Sequence, residues 1–325
     1  MPSDPTAASA SVSANDSASA PARAAPSVNP AANASSAPLH IETIAALLPP
    51  EARRWFDLRV AESTGSTNAD LLRDCAHLPS GTVLAAEHQT AGRGRRGRAW
   101  IAPPGANLTF SVLWKFRGQA AALSGLSLAV GVAVARAITR CGAAGVALKW
   151  PNDVLARRGE DWAKLGGILI ELKTGADAAP ETGDVSGSTS AVIGIGINVD
   201  LGAAALPVGQ PATDLRALGC DVTRNALLAA LLEQLGAVLP QFALHGFAPF
   251  APEWNQLHAW RGQAVQLTDD VTTIATAALS APAALTAAVA GIAQGAADDG
   301  ALLIDTPAGQ RRVVSGDVSL RLAPR

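Results

Sequence analysis

The stretch GRGRRGRAWIAPPG at residues 92–105 constrains this chain more than any other. Its glycines Gly92, Gly94 and Gly97 spell G-x-G-x-x-G, the spacing of a dinucleotide-binding turn. Such a turn must open a helix, because the pyrophosphate rests on the helix N-terminus. Here Pro103, Pro104 and Gly105 follow, so the chain cannot continue helically. An acidic residue about 20 positions on is also missing; that region reads VLWKFRG. A Rossmann-type fold is therefore excluded. What remains is a loop bearing Arg93, Arg95, Arg96 and Arg98 at the end of a predicted strand over 81–89.

Arginine presents a planar fork of donors that matches carboxylate or phosphate oxygens, and intervening glycines let the backbone approach and move. The loop suits an enclosed anionic small molecule; a solvated basic loop is the plain alternative. An Arg-Gly nucleic-acid segment is disfavoured, since the chain has a formal net charge of −2 and the run carries no interleaved aromatics. Three widely spaced cysteines, Cys75, Cys141 and Cys220, form no C-x-x-C pair and fit a reducing cytoplasm. The five histidines show no metal-binding spacing, so no protein-held metal is expected. The N-terminus lacks the pattern of a signal or transit peptide, and no apolar run free of charge and glycine reaches membrane length, so no membrane partner is expected.

Residues 1–38 are almost wholly Ala, Ser, Pro, Asn and Asp and are expected to be a disordered tail. A helical segment leads in from Leu39, followed by a strand at DLRVAEST. A helix follows from STN at 66–68, with Thr67 and Asp70 in capping-box spacing. Strands are predicted at 81–89, 107–114, 146–150, 164–173 and 191–200, a polar hairpin connection near 174–190, and apolar helices at 122–142 and 224–242, the latter capped by Thr223. A shorter helix at APFAPEWNQLHAW follows. After Arg261 come short alternating strands with turn signals such as DDG at 298–300, the texture of a small β domain. The expected division is thus a tail over 1–38, a larger mixed helix–strand domain over 39–260 and a β domain over 261–325.

Five blocks stand in order: S-T-N at 66–68, Q-x-A-G-R-G-R-R-G-R-x-W at 89–100, K-W-P-N-D at 149–153, K-L-x-G-I-L-x-E at 164–171 and G-x-G-x-N at 194–198. In this combination the chain resembles the biotin–protein ligase family. The resemblance implies an α+β fold: a class II aminoacyl-tRNA-synthetase-like catalytic domain with a mixed sheet, plus a small SH3-like β-barrel at the C-terminus. It implies ATP-dependent joining of biotin to one lysine of a biotin carboxyl carrier domain, through biotinyl-5′-AMP, with Mg²⁺ arriving on ATP. Some family members carry an N-terminal DNA-binding domain; this chain is expected to be a ligase-only form with no DNA partner. A homodimer is left open. A lipoate or octanoate ligase or transferase of the same fold is the neighbouring alternative.

By the same resemblance, Ser66, Thr67, Asn68 and Gln89 would bond the ureido head of biotin, although helix capping alone would explain Ser66 and Thr67. Arg93, Gly94 and Arg95 would close over the biotin tail, Arg95 contacting carboxylate and α-phosphate. Arg96 and Arg98 would either meet pyrophosphate or face solvent. Trp100 would cover the adenine, unless it packs on the core. Lys164 would stabilise charge on the phosphoryl oxygens. Gly166 and Gly167 would leave room for the bicyclic ring. Asn152 and Asn198 suit the adenine edge, and Lys149 the ATP site. Asp153 would orient or deprotonate the incoming amine, or touch a metal. The loop is expected to be loose without ligand and ordered over biotinyl-AMP.

Overall fold

The computed structural model describes residues 37–174, 187–202, 211–268, 271–275, 283–285, 289–314 and 319–322. Residues 1–36 of the expected 1–38 tail and most of the predicted connection at 174–190 lie outside these, while the carbonyls of Ala37 and Pro38 accept from Arg224 and Asn225. The lead-in is two helices, α1 (Ile41–Leu47) and α2 (Pro50–Arg53), because Leu48 turns to extended backbone ahead of the Pro49–Pro50 pair.

The first sheet runs β1 (Asp57–Thr64), β2 (Thr82–Gln89), β3 (Asn107–Arg117), β7 (Ser188–Asn198), β6 (Asp161–Thr174), β5 (Asp153–Arg158) and β4 (Val146–Lys149) in spatial order. Only β1 and β2 are parallel, joined through α3 (Thr67–Asp74); the other pairs are antiparallel. The sheet is therefore mixed, as the resemblance implied. The cap of α3 is Ser66, whose side chain accepts from the Ala69 amide, and Thr67 opens the helix instead of capping it. Strand β5 is absent from the sequence-based expectation, because its charged tip at Arg157–Asp161 hides a hairpin whose turn is Gly159 in left-handed backbone.

The sheet is two-faced. Ile193, Ile195 and Ile197 of β7 join the main core with α4 (Leu126–Arg140) and α5 (Arg224–His245), which pack on each other. Length and composition would let segments 120–140 and Arg224–His245 cross a membrane; in this fold both are largely buried in the core. Alternation sends Val192, Gly194 and Gly196 to the opposite face, where α3 covers Val192 together with Leu71, Cys75 and Leu113. The remainder of that face is open.

Beyond α6 (Ala251–Leu257) a second, wholly antiparallel sheet runs β10 (Ala283–Leu285), β9 (Val271–Ala275), β13 (Gly309–Val313), β12 (Leu302–Thr306), β11 (Val289–Ala296), β8 (Ala264–Thr268) and β14 (Ser319–Leu322). It docks by backbone-level contacts. Trp150, 1% exposed, donates its indole N–H to the Gly300 carbonyl at 3.2 Å, and Ser124 Oγ donates to the Asp299 carbonyl at 2.7 Å. A Cβ on Gly300 would stand 2.5 Å from Gly125 Cα, so the two backbone segments meet closer than any side chain allows.

His258 lies at this junction, stacked on Trp254 with ring centroids 4.7 Å apart, and neither ring nitrogen has a hydrogen-bond partner among the described residues. Burial, with a smaller push from Arg261, takes its pKa down to about 4 from 6.5. Only the neutral ring suits the folded state, so this contribution is complete above the unfolded value and is lost as pH falls from 6.5 toward 4. We expect thermal stability to drop by about 3 kcal/mol across that window. Denaturation curves at successive pH values check this, and His258→Leu should flatten the dependence.

Candidate active site

The open face of the first sheet holds a cavity of about 630 Å³. At one end, Ser66, Thr67 and Asn68 sit at the start of α3, because the β1–α3 turn points the helix entrance at the cavity. All three are buried and densely bonded. The Thr67 amide donates to Gln89 Oε1 at 2.8 Å, Thr67 Oγ1 lies 2.6 Å from Ser111 Oγ, and Ser111 donates to Asn68 Oδ1 at 2.6 Å. Gly194 admits this packing: a Cβ there would stand 2.3 Å from Asn68 Oδ1.

The arginine loop folds over the middle. It is tied by the Gly94 amide to the Arg98 carbonyl at 2.7 Å and the Trp100 amide to the Gly92 carbonyl at 2.9 Å. The segment Arg95–Gly97 makes a single 3₁₀ turn, with Arg96 in left-handed backbone (φ 63°), and does not run into a helix. Arg93 reaches Glu171 at 3.2 Å, and Arg95 donates to Asn152 Oδ1 at 3.3 Å. The Trp100 indole lies against Gly196, where a Cβ would stand 2.6 Å from the ring, and its Nε1 is buried without a hydrogen-bond partner among the described residues.

Beyond it lies a charge cluster. Lys164 Nζ is 2.6 Å from Asp153 Oδ1 and 5.8 Å from the Trp100 ring centroid. Lys149 Nζ is 3.3 Å from Asp153 Oδ2 and sits over Trp260 at 4.8 Å. Burial alone would raise the Asp153 carboxyl; the Lys164 and Lys149 ammoniums outweigh it and hold the group below the usual carboxylate range. Burial pushes the Lys149 amine down, against the pull of Asp153, and Lys164 and Arg321 add like-charge repulsion. Lys164 reaches the cavity through a bulge: Val154 pairs with Gly166 but Leu155 with Lys164, so Leu165 is the extra residue and Lys164 shares a face with Gly167.

That bulge also corrects one expectation. Gly166 faces the helices, where a Cβ would stand 2.6 Å from Ile197 Cδ1, so it leaves room for core packing and not for a ligand ring. Arg96, in left-handed backbone, is not among the residues that line the cavity. Asn198 lines it, but both amide protons go to the carbonyls of Lys164 (3.3 Å) and Thr213 (2.9 Å), and Oδ1 accepts from Asn107 (2.7 Å). It braces the wall more than it reads a base. Asn152 is similarly tied, by Nδ2 to the Ile168 carbonyl at 2.8 Å. The remaining expected residues, including Gly94, Arg98 and Gly167, do meet at the cavity.

Sequence reasoning singled out G-x-G-x-N at 194–198 but named only Asn198 from it as a site residue, whereas the alternation in GIGIN leaves Gly194 and Gly196 as two bare floor positions on one face. It also missed Trp162, Trp260 and Arg321, which line the cavity from the β5–β6 hairpin, the interdomain segment and β14. Nothing local in the sequence marks these three. Among the described residues no group of three His, Cys, Asp or Glu side chains could hold a metal ion.

Residues 60–180 match the model of the Biotin/lipoate A/B protein ligase family, and residues 284–321 that of the Biotin protein ligase C terminal domain. The chain is 35% identical over 261 residues to the bifunctional ligase/repressor BirA of Escherichia coli, covering 80% of this chain and 73% of that one. The chain belongs to the biotin/lipoate protein ligase family. Within it, the biotin--[acetyl-CoA-carboxylase] ligase of Paracoccus denitrificans is 32% identical over 261 residues, covering 78% of this chain and 97% of the relative. Among solved structures, the biotin protein ligase from Aquifex aeolicus in complex with biotin and ATP superposes with a TM-score of 0.62 at 26% identity, covering 82% of this chain and 99% of that one. The family's fold, a mixed-sheet domain followed by a small antiparallel β domain, is the fold described above.

The contact between Trp100 and Gly196 anchors the end of the arginine loop. Gly196→Ala should push the indole off the sheet, and trypsin should then cut between Arg93 and Arg98 several-fold faster than in the parent chain. An unchanged cleavage rate would show that the loop is held elsewhere.

Proposed function

We propose that this chain is a biotin–protein ligase that uses ATP to biotinylate a lysine of a carboxylase carrier domain, by way of biotinyl-5′-AMP. The observation that carries this is one continuous cavity joining three chemistries: a hydroxyl–amide pocket, a cationic middle, and a far end walled by indoles and asparagine. A ureido ring, a carboxylate and a nucleotide need these in that order.

The first step forms a bond between the biotin carboxylate oxygen and the α-phosphorus of ATP and expels pyrophosphate. Both reactants are anions, so their approach needs fixed positive charge. Lys164 and Arg95 supply it at the middle of the cavity, and Lys149 and Arg321 extend it toward the outgoing phosphates. Mg²⁺ carried on the triphosphate would neutralise part of its charge. In the second step the acceptor lysine amine attacks the acyl carbon and AMP leaves. Asp153 is the acidic group at that point; clamped between two ammoniums, it orients the incoming amine better than it takes up a proton. The arginine loop excludes water, to which the mixed anhydride is vulnerable.

A reducing cytoplasm is the proposed compartment, and no membrane partner is invoked.

The decisive experiment is biotin-dependent exchange of pyrophosphate into ATP, with lipoate and octanoate as controls. Exchange with biotin alone is expected; exchange with lipoate or octanoate and not biotin would reassign the substrate. Lys164→Met should lower the exchange rate by about 10²–10³-fold, the usual loss for a positioned charge at a developing anion. Biotin plus ATP should protect the Arg93–Arg98 segment from trypsin, and equal cleavage with and without them would rule out closure.

A further inference from the structure

Glu171 ends the K-L-x-G-I-L-x-E block, yet neither the charge cluster nor the nucleotide end involves it. Its Oε2 accepts from Asn68 Nδ2 at 2.9 Å and from Arg93 Nη2 at 3.2 Å. We propose that Glu171 is a positioning residue that fixes which way the Asn68 amide faces and so makes one wall of the head pocket acceptor-only. The proposal deepens the reading of that pocket as a biotin site and rests on it.

An ionised carboxylate only accepts hydrogen bonds. Asn68 spends one amide proton on Glu171 and the other on the Leu169 carbonyl at 3.2 Å, so Oδ1 must face the opposite way. There it accepts from Ser111 Oγ at 2.6 Å. A hydroxyl has one proton; Ser111 spends it on Asn68, and Thr67 Oγ1, which lies 2.6 Å from Ser111 Oγ and donates to Gln89 Oε1 at 3.2 Å, spends its own inside the wall. Both Asn68 Oδ1 and Thr67 Oγ1 then have only lone pairs left to offer. Turning the amide over would set Oδ1 against a carboxylate and a carbonyl, at a residue 4% exposed, where an unpaired polar contact is costly. Arg93 holds the same carboxylate oxygen from the solvent side. The wall selects a ligand with N–H donors at this end, the chemical class of a cyclic urea.

The test uses the full chain and the pyrophosphate-exchange assay with biotin and with a biotin derivative methylated on a ureido nitrogen. In the parent chain the methyl group removes a donor and should weaken use of the substrate by about ten-fold. Glu171→Gln lets the partner present either a donor or an acceptor. We expect its KM for biotin to rise by about five- to ten-fold with kcat changed less than about two-fold, and the penalty for methylation to shrink. Glu171→Asp keeps the charge but withdraws the oxygen by one methylene; it should shift KM in the same direction and keeps the test decisive if Glu171→Gln fails to fold. A biotin KM within two-fold of the parent in both variants, or an undiminished methylation penalty, would overturn the proposal. Absence of any biotin-dependent exchange in the parent chain would instead overturn the reading of the site itself.

Discussion

The pairing of β6 with β7 is the constraint on which the rest depends. These two strands lie at the middle of the seven-stranded sheet, and their alternating side chains divide it into a dry face and a working face. Ile168, Ile193, Ile195 and Ile197 bury themselves against the helices, where apolar burial stabilises the domain by roughly 1.5–3 kcal/mol per large side chain. The same alternation leaves Gly167, Gly194 and Gly196 on the other face as bare backbone. A one-residue slip would turn the isoleucines into the cavity, so core and site hold each other in register.

On that floor the chemistry is arranged by distance from the α3 entrance. The hydroxyl–amide pocket forms where the β1–α3 turn meets Gly194. The cationic centre forms where the Leu165 bulge swings Lys164 back to the glycine face. Asp153 then sits between two lysines, one from its own corner and one from the neighbouring strand. A buried carboxylate paired in this way adds little net stability, because desolvation offsets the attraction. Its effect is to hold two ammoniums near each other at the cavity wall.

The small β domain is part of the site. Gly300 meets Gly125 at backbone distance and accepts the Trp150 indole N–H, which fixes the corner carrying Asn152 and Asp153. From the same domain Arg321 completes the wall beside Lys149. Docking and charge placement are thus set by one interface.

The sequence by itself determined much of this. The prolines after Trp100 excluded a dinucleotide turn, and the family resemblance carried by S-T-N, K-W-P-N-D and K-L-x-G pointed to residues that the structure brings to the hydroxyl–amide pocket and the charged cluster. Such features are local: they depend on covalent backbone limits and on residue types a few positions apart. The orientation of Gly166 and Lys164 was not legible, because a bulge belongs to two strands and leaves no mark in one. Trp260 and Arg321 were invisible as site residues for the same reason, since Lys149, which both of them face, lies more than a hundred positions away in the chain. Tertiary structure decided which side of each strand meets the cavity, because only the pairing of distant segments sets the register.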